Sequence, residues 1–184
     1  MPAPQPDRPA SFGYKCSWYA VRTNDTDAVV AALAWKDAAP STWFAGIEAA
    51  YVAGVFITPP LGPWTLVVGR VLFDDDVPAR LKQLSQAFGE AQFFTTYRAR
   101  KVHVWGLARS GSLVRHFVFG GYNVQPVVDL GEPTPIERTL GIGTDEFAAN
   151  EFQVMQIAGA WSVNPSELEE RFKQPGLGRL SVLS

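Results

Sequence analysis

Hydrophobic and polar positions along this chain follow two periods in turn, and the switches between them mark its elements. Ser17 to Thr23 (SWYAVRT) mixes aromatic and β-branched residues and stops at Asn24-Asp25, which predicts a first strand. Asp25 then caps a short helix whose apolar stripe is Val29, Val30 and Leu33. From Ala34 to Ile47 the pattern breaks at Pro40-Ser41, and Trp35, Trp43 and Phe44 read as loop anchors. Ala49 to Gly69 is 21 residues without a charge, but Pro59-Pro60-Leu61-Gly62-Pro63 divides it into strands at Val52 to Thr58 and Trp64 to Gly69. The second is so uniformly apolar that it belongs at the sheet centre, covered on both faces.

A helix starts at Asp74-Asp75-Asp76-Val77-Pro78, packs inward through Leu81, Leu84 and Phe88, and ends at Gly89. Three strands follow, at Ala91 to Tyr97, Val102 to Leu107 and Leu113 to Phe119, with Arg109-Ser110-Gly111-Ser112 as a tight hairpin turn. Prolines and glycines from Gly120 to Gly143 predict a surface traverse with a helical turn near Ile136 to Leu140. Helices at Glu146 to Ala160 and Pro165 to Phe172 close the series, the latter opened by the capping-box spacing of Asn164-Pro165-Ser166-Glu167. The expected fold is α+β: a single mixed or largely antiparallel sheet built from two βαβ-like halves, helices on one face, and a C-terminal helical segment. Residues 14–173 form the domain, 1–13 a flexible Pro-rich arm, and 174–184 a loose tail.

Composition narrows the class further. With 47% apolar and 18% charged residues the chain has enough to bury for a globular core. Its net charge of −2 excludes a globally polybasic nucleic-acid binder. Cys16 is the single cysteine, which fits a reducing compartment and a cytoplasmic protein, and the proline-broken N-terminus has no secretory core segment.

Candidate chemistry is sparse. His103 and His116 lie on neighbouring strands at comparable distances from the hairpin turn, so cross-strand proximity is open to them, although sheet-face histidines are the commoner case. Cys16 has no local histidine, Gly111-Ser112 is a turn and not a nucleophile elbow, and Asp74 to Asp76 lack the alternating spacing of a calcium loop. No cofactor and no metal is expected. Charge segregation is the feature that stands out. Residues 91–116 carry Arg98, Arg100, Lys101, Arg109 and Arg115 with no acid, whereas 129–151 carry six acids against Arg138. The basic stretch offers a docking face for an acidic partner, or, with Phe93, Phe94, Tyr97 and Trp105, a single-stranded nucleic-acid surface. The two halves can equally neutralise each other within the fold.

The segments GPWTLVVG (62–69), FGEAQFFTTYR (88–98), VWGLARSGSLVRHF (104–117) and VMQIAGAWSVNPSELEE (154–170) resemble a family of uncharacterised bacterial proteins. The resemblance implies no reaction. By analogy with small α+β proteins of this kind, it implies a non-catalytic bacterial immunity protein that binds and neutralises a toxin. Arg98, Arg100, Lys101, Arg109, Arg115 and the loop residue Trp43 are the partner-binding candidates on that reading. A small enzyme, in which His103, His116, Glu90 or Asp129 converge, ranks second, and nucleic-acid binding third. Edge strands also leave a homodimer open.

Overall fold

The computed structural model describes residues 3–35, 37–120, 126–142 and 149–182. Among these residues nine strands form one sheet: β1 (Ser17–Val21), β2 (Ala39–Ser41), β3 (Gly54–Ile57), β4 (Thr65–Val68), β5 (Glu90–Tyr97), β6 (Val102–Arg109), β7 (Ser112–Phe119), β8 (Val128–Leu130) and β9 (Gly178–Val182). Their order is β2-β9-β3-β4-β1-β5-β6-β7-β8, and every neighbouring pair is antiparallel. The helices are α1 (Thr26–Ala32), α2 (Trp43–Ala50), α3 (Val77–Phe88), α4 (Pro135–Thr139), α5 (Glu151–Trp161) and α6 (Leu168–Arg171). None of the described helices is long and apolar enough to cross a membrane.

The two βαβ-like halves are present and interlocked. β1 and β3 are both antiparallel to β4, which lies between them, so β1–α1–α2–β3 is a split crossover. In the same way β4 and β5 flank β1, and α3 connects them. β4 sits fourth in the sheet with all four residues buried, as its uniform apolarity predicts.

Side-chain alternation divides the core in two. Trp18, Phe56, Leu66, Phe94, Trp105 and Phe117 point to one face, where α2, α5 and α6 cover them through Trp43, Ile47, Val154, Ile157 and Leu168. Tyr19, Val55, Val67, Phe93 and Val104 point to the other, under Val29 of α1 and Leu81 and Leu84 of α3. Helices thus cover both faces rather than one, because the central strands are apolar on both.

Local chemistry sets the element ends. Asp76 accepts from Ala79 N at 3.2 Å to cap α3, Pro78 sits in its first turn, and Gly89 closes it at φ 85°. Asn150 and Gln153 form a reciprocal capping box on α5. Its expected start at Glu146 lies outside the described residues. The β6–β7 hairpin turns through Ser110 and Gly111, both at positive φ (46° and 79°), as a two-residue turn requires.

Three segments differ from the sequence expectation. The tail is no loose end: Gly178–Val182 enters the sheet between β2 and β3 and pairs with both. Its GRLSV pattern is short and follows Pro175-Gly176, so it lacks the alternating run that marks a strand by itself. The arm is packed from Asp7 onward. Phe12 lies in the core at 6% exposure, Asp7 carboxylate oxygens accept from Trp43 N and Phe44 N at 2.6 and 3.0 Å, and Asp7 O accepts from Gly176 N at 3.0 Å. The stretch from Ala34 to Ile47 contains β2 and the start of α2, capped by Thr42, so Trp43 is helical.

Gly178 shows why β9 fits there. A Cβ would collide with Ile57 O and with the ring of Phe56, and the same ring lies against Gly46 of α2. Phe56 is thereby clamped between helix and inserted strand. Truncation before Gly178 leaves β3 and β2 without their shared neighbour and uncovers Phe56. The expected loss equals or exceeds the stability of an ordinary domain (~5–15 kcal/mol), so the truncated chain has no cooperative thermal transition by circular dichroism.

Candidate functional site

At one end of the sheet β1 begins, β4 ends and β5 ends, and the chain around these strand ends encloses an open cleft of about 310 Å³. Lys15, Arg70 and Arg100 supply three cations to its lining and Phe73 and Tyr97 two rings, and among the described residues no carboxylate lines it. Lys15 precedes β1 at φ 57°, Arg70 opens the 3-10 turn after β4, and Arg100 stands in the turn that joins β5 to β6. Arg70 Nη1 donates to Tyr51 O at 3.1 Å, and the Arg100 guanidinium lies 5.4 Å from the Tyr97 ring centre. Both contacts fix the cations without neutralising them.

Ser17, Thr95 and Thr96 contribute buried hydroxyls. Thr95 Oγ1 donates to Cys16 O at 3.3 Å and lies 2.8 Å from Ser17 Oγ, which leaves Ser17 as the donor in that pair. Cys16 also lines the cleft but is 2% exposed, and burial pushes its thiol up to about 12. A thiol so held is not a nucleophile at neutral pH.

The six partner-binding candidates separate sharply. Arg98 and Arg100 are exposed in the β5–β6 turn, and Lys101 closes that turn at φ 50°. Arg98 lies 3.8 Å from Glu151, with its side chain 80% exposed. Arg109 is engaged at the opposite end of β6, where Nε donates to Glu90 Oε2 at 2.8 Å. Arg115 and Trp43 are corrections: both side chains are fully buried, and neither can touch a partner. Trp43 packs edge-on against Phe56, ring centres 5.6 Å apart.

Arg115 is instead the hub of a buried network. Its Nε donates to Glu137 Oε1 at 2.8 Å, and its Nη1 to Asp129 Oδ1 at 2.5 Å and Gly131 O at 2.8 Å. Glu137, also fully buried, accepts from Trp105 Nε1 at 2.7 Å and from both the backbone N–H and hydroxyl of Thr134 at 2.8 Å. The segregated charges of the sequence therefore meet within the fold at Arg115–Asp129 and Arg115–Glu137, and at its surface at Arg98–Glu151. By contrast, Lys15, Arg70 and Arg100 have no carboxylate partner among the described residues. Lys15 and Arg70 were missed by sequence reasoning because each stands alone in its segment, and only the β1–β4 pairing brings them to one place.

The histidines do not share a site. His103 pairs with Thr96 and Phe119 in register and faces the Trp105 side, whereas His116 lies opposite Gly106 on the α3 side. Glu90 is six positions along the β5–β6 ladder from the His103 pair, about 20 Å at strand spacing. Asp75 is tied to Tyr19 OH at 3.0 Å and to Arg80 at 3.6 Å. Among the described residues no group of three His, Cys, Asp or Glu is placed to hold a metal ion. Comparisons with protein-family models, curated proteins and solved structures found nothing that matches the chain.

Two outcomes follow from these burials. Arg115→Met should cost ~3–5 kcal/mol in urea denaturation, because it strands the Glu137 carboxylate, and adding Glu137→Gln should recover part of that loss. For His103, desolvation lowers the pKa from 6.5 to about 4, with Thr96 Oγ1 3.1 Å from its Nδ1. The unfolded chain takes up this proton first as pH falls, so the stability is complete above pH 6.5 and lost between 6.5 and 4. Wild type should lose up to roughly 3 kcal/mol more than His103→Gln across that window, measured by urea midpoints at each pH.

Proposed function

We propose that this protein is a non-catalytic binding protein that captures an acidic protein partner through the β5–β6 turn. In its most specific form it is a bacterial immunity protein that blocks a toxin. The observation that carries the reading is the contrast in charge use. The acidic half of the chain consumes Arg115 internally and reaches Arg98 only through Glu151 at 3.8 Å, while Arg98, Arg100 and Lys101 are exposed together in the β5–β6 turn. The turn is held by the long β5–β6 ladder, which runs from Glu90↔Arg109 to Tyr97↔Val102. A rigid basic projection suits capture of a negatively charged surface, since little ordering entropy is lost on docking and the field steers encounter. Phe152, next in sequence to the Glu151 that Arg98 approaches, is exposed and offers an apolar anchor.

The test is co-expression with the product of the adjoining gene. Cells should survive a toxic neighbour when the wild-type chain is present, and the two proteins should co-elute. Arg98→Glu combined with Arg100→Glu should weaken that capture at least about tenfold, ~1.4 kcal/mol, and remove protection, with the thermal transition unmoved. Undiminished affinity and protection in the double variant would remove the turn as the capture surface.

A further inference from the structure

We infer that the cleft beside this turn is a binding site for a small phosphate ester carrying a flat ring, a nucleoside monophosphate being the representative ligand. This goes beyond capture of a protein partner and rests on different residues. Lys15 and Arg70 belong to the cleft and not to the turn, and Arg100 is common to both.

The charge argument comes first. Three cations from three separate chain segments converge on one concavity, no carboxylate lines it, and none of the three has a carboxylate partner elsewhere among the described residues. A phosphate monoester carries roughly −1.5 to −2 charges and three acceptor oxygens at neutral pH, so it satisfies three cationic donors where a single carboxylate would not.

Shape and lining supply the second argument. A volume of about 310 Å³ falls at the lower end of small-molecule sites and is too small for a folded element of another protein. Phe73 and Tyr97, with ring centres 6.1 Å apart and planes tilted by 51°, give the cleft an apolar side. Val52 and Val71 extend it. An anionic head among the cations and a planar body against the rings would use both kinds of lining.

Isothermal titration of the full chain with adenosine monophosphate, inorganic phosphate and benzoate tests this. The monophosphate should bind saturably at one site per chain, more tightly than either fragment. Lys15→Gly, in which glycine accepts the φ of 57° without strain, and Arg70→Gln should each weaken it about tenfold. Arg98→Glu, which strikes the partner surface alone, should leave it unchanged. Should Arg70→Gln fail to fold for want of its bond to Tyr51 O, the exposed Lys15→Gly carries the test alone. Absence of saturable monophosphate binding, or binding indifferent to Lys15→Gly, overturns the assignment. Equal affinity for inorganic phosphate and the monophosphate overturns the role given to the rings.

Discussion

A strand covered on both faces shows water no polar side, so its neighbours must satisfy its backbone and two separate layers must pack its side chains. Here that condition applies to β3, β4, β1 and most of β5 and β6, where nearly every residue is buried. It dictates the rest of the architecture. The two split crossovers place α1 and α3 on one face and only α2 on the other, so the rest of that face must be covered by further parts of the chain. α5 and α6 fill it, together with the N-terminal arm through Phe12. β9 extends the sheet beyond β3 and leaves only three-residue strands, β2 and β8, at its edges. Short edges offer little template for unwanted pairing.

Once both faces are sealed, charges near the sheet have two fates. Arg115 points into the layer shared with Trp105 and Phe117, where a guanidinium out of water is tolerable only with several acceptors. Asp129, Glu137 and two backbone carbonyls supply them, which ties β7 to β8 and to α4. The capping box of α4 is built from the same Glu137, so helix start, ion pair and indole hydrogen bond all depend on one carboxylate. Cations at the strand ends escape this requirement because water reaches them. Tyr51 O and the Tyr97 ring position Arg70 and Arg100 while leaving their charge available.

Elements with a strong period were legible in the sequence. β1 follows from its aromatic and β-branched run, β4 from its uniform apolarity, α3 from the Asp76 cap with Pro78 and the Leu81, Leu84 and Phe88 stripe, and the β6–β7 hairpin from the turn at Ser110-Gly111. The expectations that failed share a physical cause: their stability comes from partners far away in the chain. β9 is a strand because β2 and β3 offer it two open edges, and the arm is ordered because Asp7 caps α2 across 36 residues. Trp43 resembled a loop anchor because Pro40-Ser41 precedes it, yet Thr42 starts a helix at that point. Of the candidate site, Arg98, Arg100 and Lys101 were visible as a basic run. The fate of Arg115 was not, since a fifth cation in that run looks the same on paper whether it faces solvent or Glu137.

The cleft is also where the molecule departs most from what stability alone would select. Three like charges around one concavity repel, and a carboxylate in place of Val52, which is exposed on the rim, would relieve them at little cost to packing. The same chain spends acids freely elsewhere. Glu90 serves Arg109 and approaches Arg22, Asp27 serves Arg179, and Asp75 serves Arg80. What sets the cleft apart is what it gathers: hydroxyls, rings and three cations converge on one concavity with no carboxylate among its described lining residues. Such a gathering marks a site kept for binding, because the missing partner is the one a ligand brings.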